Sequence, residues 1–325
     1  MNNTPNQPLP HTADSFTMEA EFEVPLEGKD FKTASGKFIK LAKHSGFCHG
    51  VKKAVDKTIN ASHQNTTDEQ PTYVLGQLIH NQQEIERLET MGIRTVQTLA
   101  EIPDGANCVI RTHGAPPELI TQAEARGIHV TDATCPDVRL VQNKAIELAK
   151  EGYTVVVVGK ENHPEVIGIS AFANEVVGAV IVAINHPSQI AEKLATVPKR
   201  RIGVVSQTTQ MEDTFFDMVK HLSMVAKELK VYNTICPATF FRQHAAADLA
   251  KQVQLMIVIG GKNSSNTTHL ADLCNELGTP AIHIETAKEL ENLPVLQSAK
   301  VVGITAGAST PEWLVQQVLD FLKTQ

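Results

Sequence analysis

From Lys37 to its last residues the chain alternates short apolar runs with segments in which apolar residues recur at helical spacing. Such alternation predicts strand–helix units and a largely parallel sheet. Six of the runs, TYVLGQ, NCVIRT, TVVVVGK, IGVVSQ, LMIVIGG and VVGITAG, each pass through a polar turn into a helical segment. Three other junctions carry a cysteine instead. They are KFIKLAKHSGFCHGVKKAV with Cys48, TDATCPDVRLVQNKAIELA (Thr131 to Ala149) with Cys135, and VYNTICPATFFRQHAAADLA with Cys236. Pro136 and Pro237 suit a first helical turn, where a missing N–H is no loss and a fixed φ is already helical. Each cysteine is therefore expected at a helix N-terminus, where the helix dipole and free N–H groups lower a thiol's pKa and favour the thiolate.

The order of units repeats. A cysteine junction, a polar turn, a plain unit and a second polar turn follow one another three times along the chain. The turns are His80-Asn81 and His113-Gly114, then His163-Pro164-Glu165 and Thr208-Thr209, then Ser264-Ser265-Asn266 and Ser309. Open α/β sheets bind ligands at the carboxyl ends of their strands, where all of these residues fall. A pseudo-threefold assembly would bring three cysteines and six polar turns to one centre. The expected divisions are three α/β domains at 38–134, 135–234 and 235–325. Residues 1–37 are polar and rich in Asn, Pro and Thr, and are expected to be disordered apart from a short strand around Phe22 to Pro25.

Composition narrows the function. A length of 325 residues exceeds what one compact core usually holds, in keeping with several domains. A formal charge of −7 without a basic run argues against a nucleic-acid surface. No apolar stretch is long enough to span a membrane. Five cysteines, an odd number without a signal peptide, predict a reduced, cytoplasmic setting in which cysteines are ligands, nucleophiles or core residues. Cys108 lies inside an apolar strand and Cys274 on a helix face, so both read as small buried hydrophobes. Cys48, Cys135 and Cys236 share one position of the repeat and admit three chemical readings. A disulfide leaves one thiol over. Tetrahedral zinc usually shows CxxC spacing, which this chain lacks. An iron–sulfur cluster on three cysteines leaves one iron open to substrate.

The polar turns place His80, His113, His163, Thr208, Ser264, Ser265, Asn266 and Ser309 near helix starts, where backbone N–H groups favour anions. No Walker or Rossmann fingerprint accompanies them. Glu165 is a carboxylate among these turns. In a dry centre its pKa would rise and suit it to donate protons, whereas at an ordinary helix start it would only interact with the dipole.

SGFCHGV, LIHNQ, THGAP, DATCP, NHPEV, SQTT, TICPAT, GGKNSSNT and TAGASTPEWLV, in this order from about Phe38 onward, resemble the motifs of the LytB/IspH family of 4-hydroxy-3-methylbut-2-enyl diphosphate reductases. The resemblance implies a trefoil of three α/β domains around a central [4Fe–4S] cluster held by Cys48, Cys135 and Cys236. It makes His80, His113, His163, Ser264, Asn266 and Ser309, with Ser265 beside them, diphosphate-binding residues without magnesium or a Lys/Arg clamp. Thr208 would contact the substrate near its hydroxyl, and Glu165 would relay protons. The implied reaction removes the allylic hydroxyl as water with two electrons and two protons. It gives isopentenyl and dimethylallyl diphosphate at the last step of the methylerythritol phosphate route, with ferredoxin or flavodoxin as donor. The chain departs from the family in having His44-Ser45 where Arg is common before GFC, and Pro237 after its third cysteine. A divergent paralogue that keeps the cluster as a redox or diphosphate sensor is the reading of a different class.

Overall fold

The computed structural model describes residues 30–63 and 71–325. The strand expected around Phe22 to Pro25 lies outside these residues. The chain opens with β1 (Phe31–Lys32), β2 (Phe38–Leu41) and α1 (His49–His63). Next come β3 (Thr72–Leu75), α2 (Gln82–Glu89), β4 (Ile93–Val96), β5 (Asn107–Ile110), α3 (Pro117–Ala125), β6 (His129–Asp132) and α4 (Pro136–Lys150). The middle of the chain forms β7 (Thr154–Val158), α5 (Pro164–Asn174), β8 (Val180–Ile184), α6 (Ile190–Lys193), β9 (Arg201–Ser206), α7 (Glu212–Ser223), β10 (Glu228–Val231) and α8 (Pro237–Ala250). It closes with β11 (Leu255–Ile259), α9 (Ser265–Glu276), β12 (Ala281–Ile284), α10 (Pro294–Ser298), β13 (Val301–Ala306) and α11 (Glu312–Lys323).

The strands form three separate sheets, in the orders β4-β3-β5-β6, β8-β7-β9-β10 and β12-β11-β13-β2-β1. Every pairing is parallel except β1 with β2. The α/β class and the threefold repetition are as expected, and the order second-first-third-fourth holds in each sheet. Central strands are buried on both faces, which is why TVVVV in β7 and LMIVI in β11 read as unbroken apolar runs. Each sheet carries an apolar core on either side, such as the clusters around Val109 and Ile110, Val155 and Val156, and Ile257 and Val258.

One strand lies elsewhere than its place in the sequence suggests. β2, which leads to Cys48, pairs with β13 in register Val301↔Phe38 to Ile304↔Leu41. It thus fills the fourth position of the third sheet, although the expected first domain began at residue 38. Residues 30–37, expected to be disordered, are structured: β1 and β2 pair Phe31 with Ile39, and the ammonium of Lys37 donates to the carbonyls of Leu296, Gln297 and Ala299.

With β2 so placed, each of Cys48, Cys135 and Cys236 follows the fourth strand of a sheet and opens a helix that packs on another. After β6, α4 packs on β7 and β9; after β10, α8 packs on β13; after β2, α1 packs on β4, β5 and β6. The three cysteines therefore stand at the three junctions between units.

Candidate functional site

Cys48, Cys135 and Cys236 immediately precede α1, α4 and α8, and all three are half-buried free thiols. The Val51 N–H donates to Cys48 Sγ at 3.4 Å, and the Thr239 N–H to Cys236 Sγ at 3.4 Å. Charge on Cys48 acts on both other thiols. At Gly50 a Cβ would stand 2.5 Å from Cys135 Sγ, so the first turn of α1 is open enough to admit the thiol of another junction only because it carries glycine there.

The thiol acidity expected from the helix termini is not what the site gives. Burial is the largest influence on Cys135 and Cys236 and raises both, Cys236 to about 12, and the charge of Cys48 adds to the rise. The N–H donors do act in the expected direction, but a dry setting with converging thiols outweighs them. Such thiols become thiolates only when a cation joins them. One cation already stands close. Arg242 of α8 is buried, donates to the carbonyls of Ala238 at 2.9 Å and Gly46 at 2.6 Å, and interacts with Cys48 and Cys236. Nothing in the sequence marks Arg242, because it sits in mid-helix without a turn or repeat position.

Cys108 and Cys274 are buried in the apolar cores, in line with their expected role. Burial raises both thiols to about 11.

Beside the junctions lies a polar cavity lined by His80, His113, His163, Ser264, Ser265, Asn266 and Ser309, together with Thr209. The residues expected to bind a diphosphate, scattered over 230 positions of sequence, are thus brought together. The ring centroids of His80 and His113 are 4.5 Å apart, and His163 is 5.5 Å from the first and 5.4 Å from the second. Nε2 of His80 and of His163, Oγ of Ser265 and both amide atoms of Asn266 are buried without a partner. Buried polar groups are normally paired, so this concentration marks a ligand site. Ser264 caps α9, its hydroxyl accepting from the Thr267 N–H at 3.4 Å, at a helix start of the kind that favours anions. The Ser309 hydroxyl donates to the His80 carbonyl at 3.1 Å and thereby ties the third unit to the first. One potential ligand nitrogen from each of the three histidines lies within 4.8 Å of the others, close enough to hold a metal ion as well. Among the described residues no carboxylate lines the cavity, which favours an anion over a cation.

Burial lowers the three imidazoles, His80 to about 4, His163 to about 3 and His113 well below its ordinary value. The positive charge of Arg111 depresses all three further. Arg111 was not singled out in the sequence; it follows β5, and a Cβ on Gly76 would stand 2.4 Å from its Nη1. A permanent cation therefore stands by a pocket expected to hold anions without one.

Glu165 opens α5 and is buried. Thr208 donates to it twice, from its N–H to Oε1 at 2.6 Å and from its hydroxyl to Oε2 at 2.9 Å. The Glu165 N–H in turn donates to His163 Nδ1 at 3.2 Å. Burial raises the carboxyl to about 7 against the two bonds from Thr208, which favour the ionised form, and the charge of Asp137 adds to the rise. Both donors of Thr208 are directed at Glu165, and it is Thr209 that lines the anion cavity.

Comparison with known proteins bears on this geometry. A family model described as LytB protein matches residues 39–323. A 4-hydroxy-3-methylbut-2-enyl diphosphate reductase of Aquifex aeolicus is 43% identical over 280 residues, covering 86% of this chain and 94% of the relative. A solved structure of (E)-4-hydroxy-3-methyl-but-2-enyl diphosphate reductase, described as the terminal enzyme of the non-mevalonate pathway, is 41% identical. It superposes with a TM-score of 0.65 over 88% of this chain and 99% of the other. The E-1-hydroxy-2-methyl-but-2-enyl-4-diphosphate reductase of Plasmodium falciparum superposes with a TM-score of 0.81 at 28% identity, covering 88% of each chain.

Proposed function

The chain belongs to the LytB protein family, and from that premise we propose that it is an oxidoreductase that removes the allylic hydroxyl of 4-hydroxy-3-methylbut-2-enyl diphosphate, the terminal step of the non-mevalonate pathway. The observation that carries the reading is the pairing of two centres. Three thiols stand at the unit junctions, and beside them is a carboxylate-free cavity of buried, unpartnered imidazole, hydroxyl and amide groups.

Three free, half-buried thiols, with Gly50 leaving room beside one and Arg242 offsetting charge beside two, fit a [4Fe–4S] cluster on Cys48, Cys135 and Cys236. When bound, the cluster supplies electrons one at a time and an iron without a protein thiolate as Lewis acid. The remaining work falls to the chain itself. His80, His113, His163, Ser264, Ser265, Asn266 and Ser309 hold the diphosphate, assisted by the N-terminus of α9 and the field of Arg111. Binding a polyanion raises the three depressed imidazoles, so they take up protons and become donors to phosphate oxygens. Glu165, poised near neutrality, delivers a proton, while Thr208 fixes its two oxygens and His163 fixes the backbone of its helix start. The net change is two electrons and two protons in, and water out, with isopentenyl and dimethylallyl diphosphate as products. A ferredoxin or flavodoxin supplies the electrons. Five unpaired cysteines suit a reducing, cytoplasmic setting, and no helix among the described residues is long and apolar enough to cross a membrane.

The decisive experiment is anaerobic reconstitution with iron and sulfide, followed by turnover of 4-hydroxy-3-methylbut-2-enyl diphosphate under a chemical reductant. Formation of the two diphosphate products is expected. Full cluster occupancy and pyrophosphate binding without product would overturn the assignment.

A further inference from the structure

Between Lys37 and Lys57 the chain carries six lysines and one acid, Asp56, in a protein whose formal charge is −7. In sequence these lysines are interrupted by apolar residues and make no run. The helix gathers three of them: Lys52, Lys53 and Lys57, with His49 and Asp56, are all exposed and recur at helical spacing, forming one solvent-facing stripe of α1. The stripe begins one residue beyond Cys48. Lys43 is exposed just before the Ser45–Phe47 segment. Lys52 pairs with Asp56 at 2.8 Å, and Lys57 donates to the Asp132 carbonyl at 3.0 Å. Lys43 and Lys53 have no acidic partner among the described residues.

Against this stripe opens a groove of about 620 Å³, its apolar lining drawn from Phe47, Val55, Ile59 and Trp313. Lys52 and Arg87 also line it, as do three acids. Two of the acids are neutralised locally, Asp56 by Lys52 and Glu84 by Arg87 at 2.6 Å, with Trp313 Nε1 donating to Glu84 at 3.0 Å. The third, Glu312, is at the start of α11. Val51 lines the anion cavity, whereas Lys52, Val55 and Ile59 line the groove, so α1 is a wall shared by both. A partner in the groove would stand next to Phe47 and Cys48 without closing the substrate cavity.

We propose that this face, with Lys43 and Lys53 beside an apolar centre of Phe47 and Trp313, is the docking surface for an acidic one-electron carrier protein. The proposal rests on the reductase reading, which requires two electrons per turnover delivered singly. The carrier is oxidised in two successive encounters, and the substrate accepts both electrons with two protons. An apolar centre with a charged rim is the usual anatomy of a protein interface. A basic patch on an otherwise acidic molecule steers an acidic partner to one orientation while the rest of the surface repels it.

The test is calorimetric titration of oxidised plant-type [2Fe–2S] ferredoxin, an acidic carrier, into the reconstituted holoprotein at low and high salt. The wild type should bind more weakly as salt rises. The double variant Lys43→Glu with Lys53→Glu should lose about tenfold in affinity at low salt and most of the salt dependence, the size of effect expected for paired surface charges. Reversal of Lys227, exposed in the second unit, should change neither. Trp313, the sole tryptophan, gives a second readout, since its emission should respond to the carrier in the wild type. Turnover driven by a reduced viologen should be the same in wild type and double variant, and ferredoxin-driven turnover should fall. Unchanged ferredoxin affinity in the double variant, or salt-independent binding by the wild type, would overturn the docking face. Because binding is read without turnover, a protein that binds ferredoxin through these lysines yet does not reduce the substrate would overturn the reductase reading and keep the surface.

Discussion

At Glu165 two opposing influences meet, and the outcome sets how the protein should respond to pH. Burial has lifted the carboxyl to about 7, against two hydrogen bonds that favour its charge. Turnover limited by this acid should decline as pH rises through about 7. Thr208→Val removes a donor to the ionised form, so the alkaline limb should move to higher pH. A pH profile of kcat that keeps its position would show the hydroxyl to be irrelevant. Glu165→Gln keeps shape and hydrogen bonding but removes the acid. It should slow kcat by about 100-fold or more, with little change in KM; near-normal turnover would reduce Glu165 to a residue of the helix start. The histidines act with the opposite sign. They are bases whose folded pKa values lie below the ordinary value of 6.5, so they disfavour protons in the native state. Stability should therefore be lost as pH falls from about 6.5 toward about 3, where the unfolded chain binds protons that the native chain does not. Pyrophosphate should reverse this, with net proton uptake on binding near pH 6, measurable by calorimetry in buffers of different ionisation enthalpy. The turn histidines and serines could be grouped from sequence because each sits at one recurrent position of the repeat, whereas that position left Glu165 open between a proton donor and a helix-start residue. Arg111 and Arg242 were not, since their roles depend on neighbours far along the chain. Nor could sequence tell Thr208 from Thr209, where adjacent turn residues serve different sides.

The elements owe their function to where helices begin. Each junction cysteine and most of the polar turns precede a helix, so orphan N–H groups and side chains converge on the same centre. Close approach of two such starts leaves no room for added atoms. Gly50→Ala would put a methyl group 2.5 Å from Cys135 Sγ, too near for both to keep their places. Iron content after anaerobic purification should fall in this variant while its secondary structure, read by circular dichroism, is retained. Full iron occupancy would show that the junction has slack. A Cβ on Gly261 would likewise fall 2.4 Å from the His80 carbonyl oxygen, which also accepts from Ser309. Gly261→Ala should therefore weaken pyrophosphate binding by pushing the first unit from the third. The buried central strands could be read directly, because both of their faces are apolar. The partner of β2 could not, because FIKL is a short strand whose neighbour is set by the whole assembly rather than by its own pattern.

On the scale of the whole molecule, three junctions contribute one thiol each and the cores contain two more. Replacement of Cys48, Cys135 or Cys236 by Ser should each abolish stable iron and sulfide binding. Cys108→Ser and Cys274→Ser should keep the metal and cost only stability, since both thiols are buried among apolar side chains. Metal analysis of the five single variants decides the matter, and full occupancy in Cys135→Ser would refute the assignment. Threefold repetition was visible in the order of motifs. The handing-on of each cysteine helix to a different sheet was not, because pattern records periodicity within a unit and says nothing of which unit a helix leans upon.

The place of β2 has a consequence for how the protein is made. A ribosome releases this strand long before its neighbour β13, which lies about 260 residues further along the chain. Through most of translation the Cys48 junction lacks the sheet that holds it, and the middle sheet has all four of its strands about seventy residues before β13 is made. Metal loading must then wait for β13, and a nascent chain stalled before residue 301 should bind no iron however complete its first two sheets. The backbone N–H of Ser35 donates to the carbonyl of Gln325 at 3.0 Å, so the two ends of the described fold already touch. A permuted gene that begins at residue 151 and joins Gln325 to Asp30 through a short linker would deliver β13 and β2 to the ribosome one after the other. Such a chain should acquire its metal as the wild type does, but with a shorter interval between synthesis and activity.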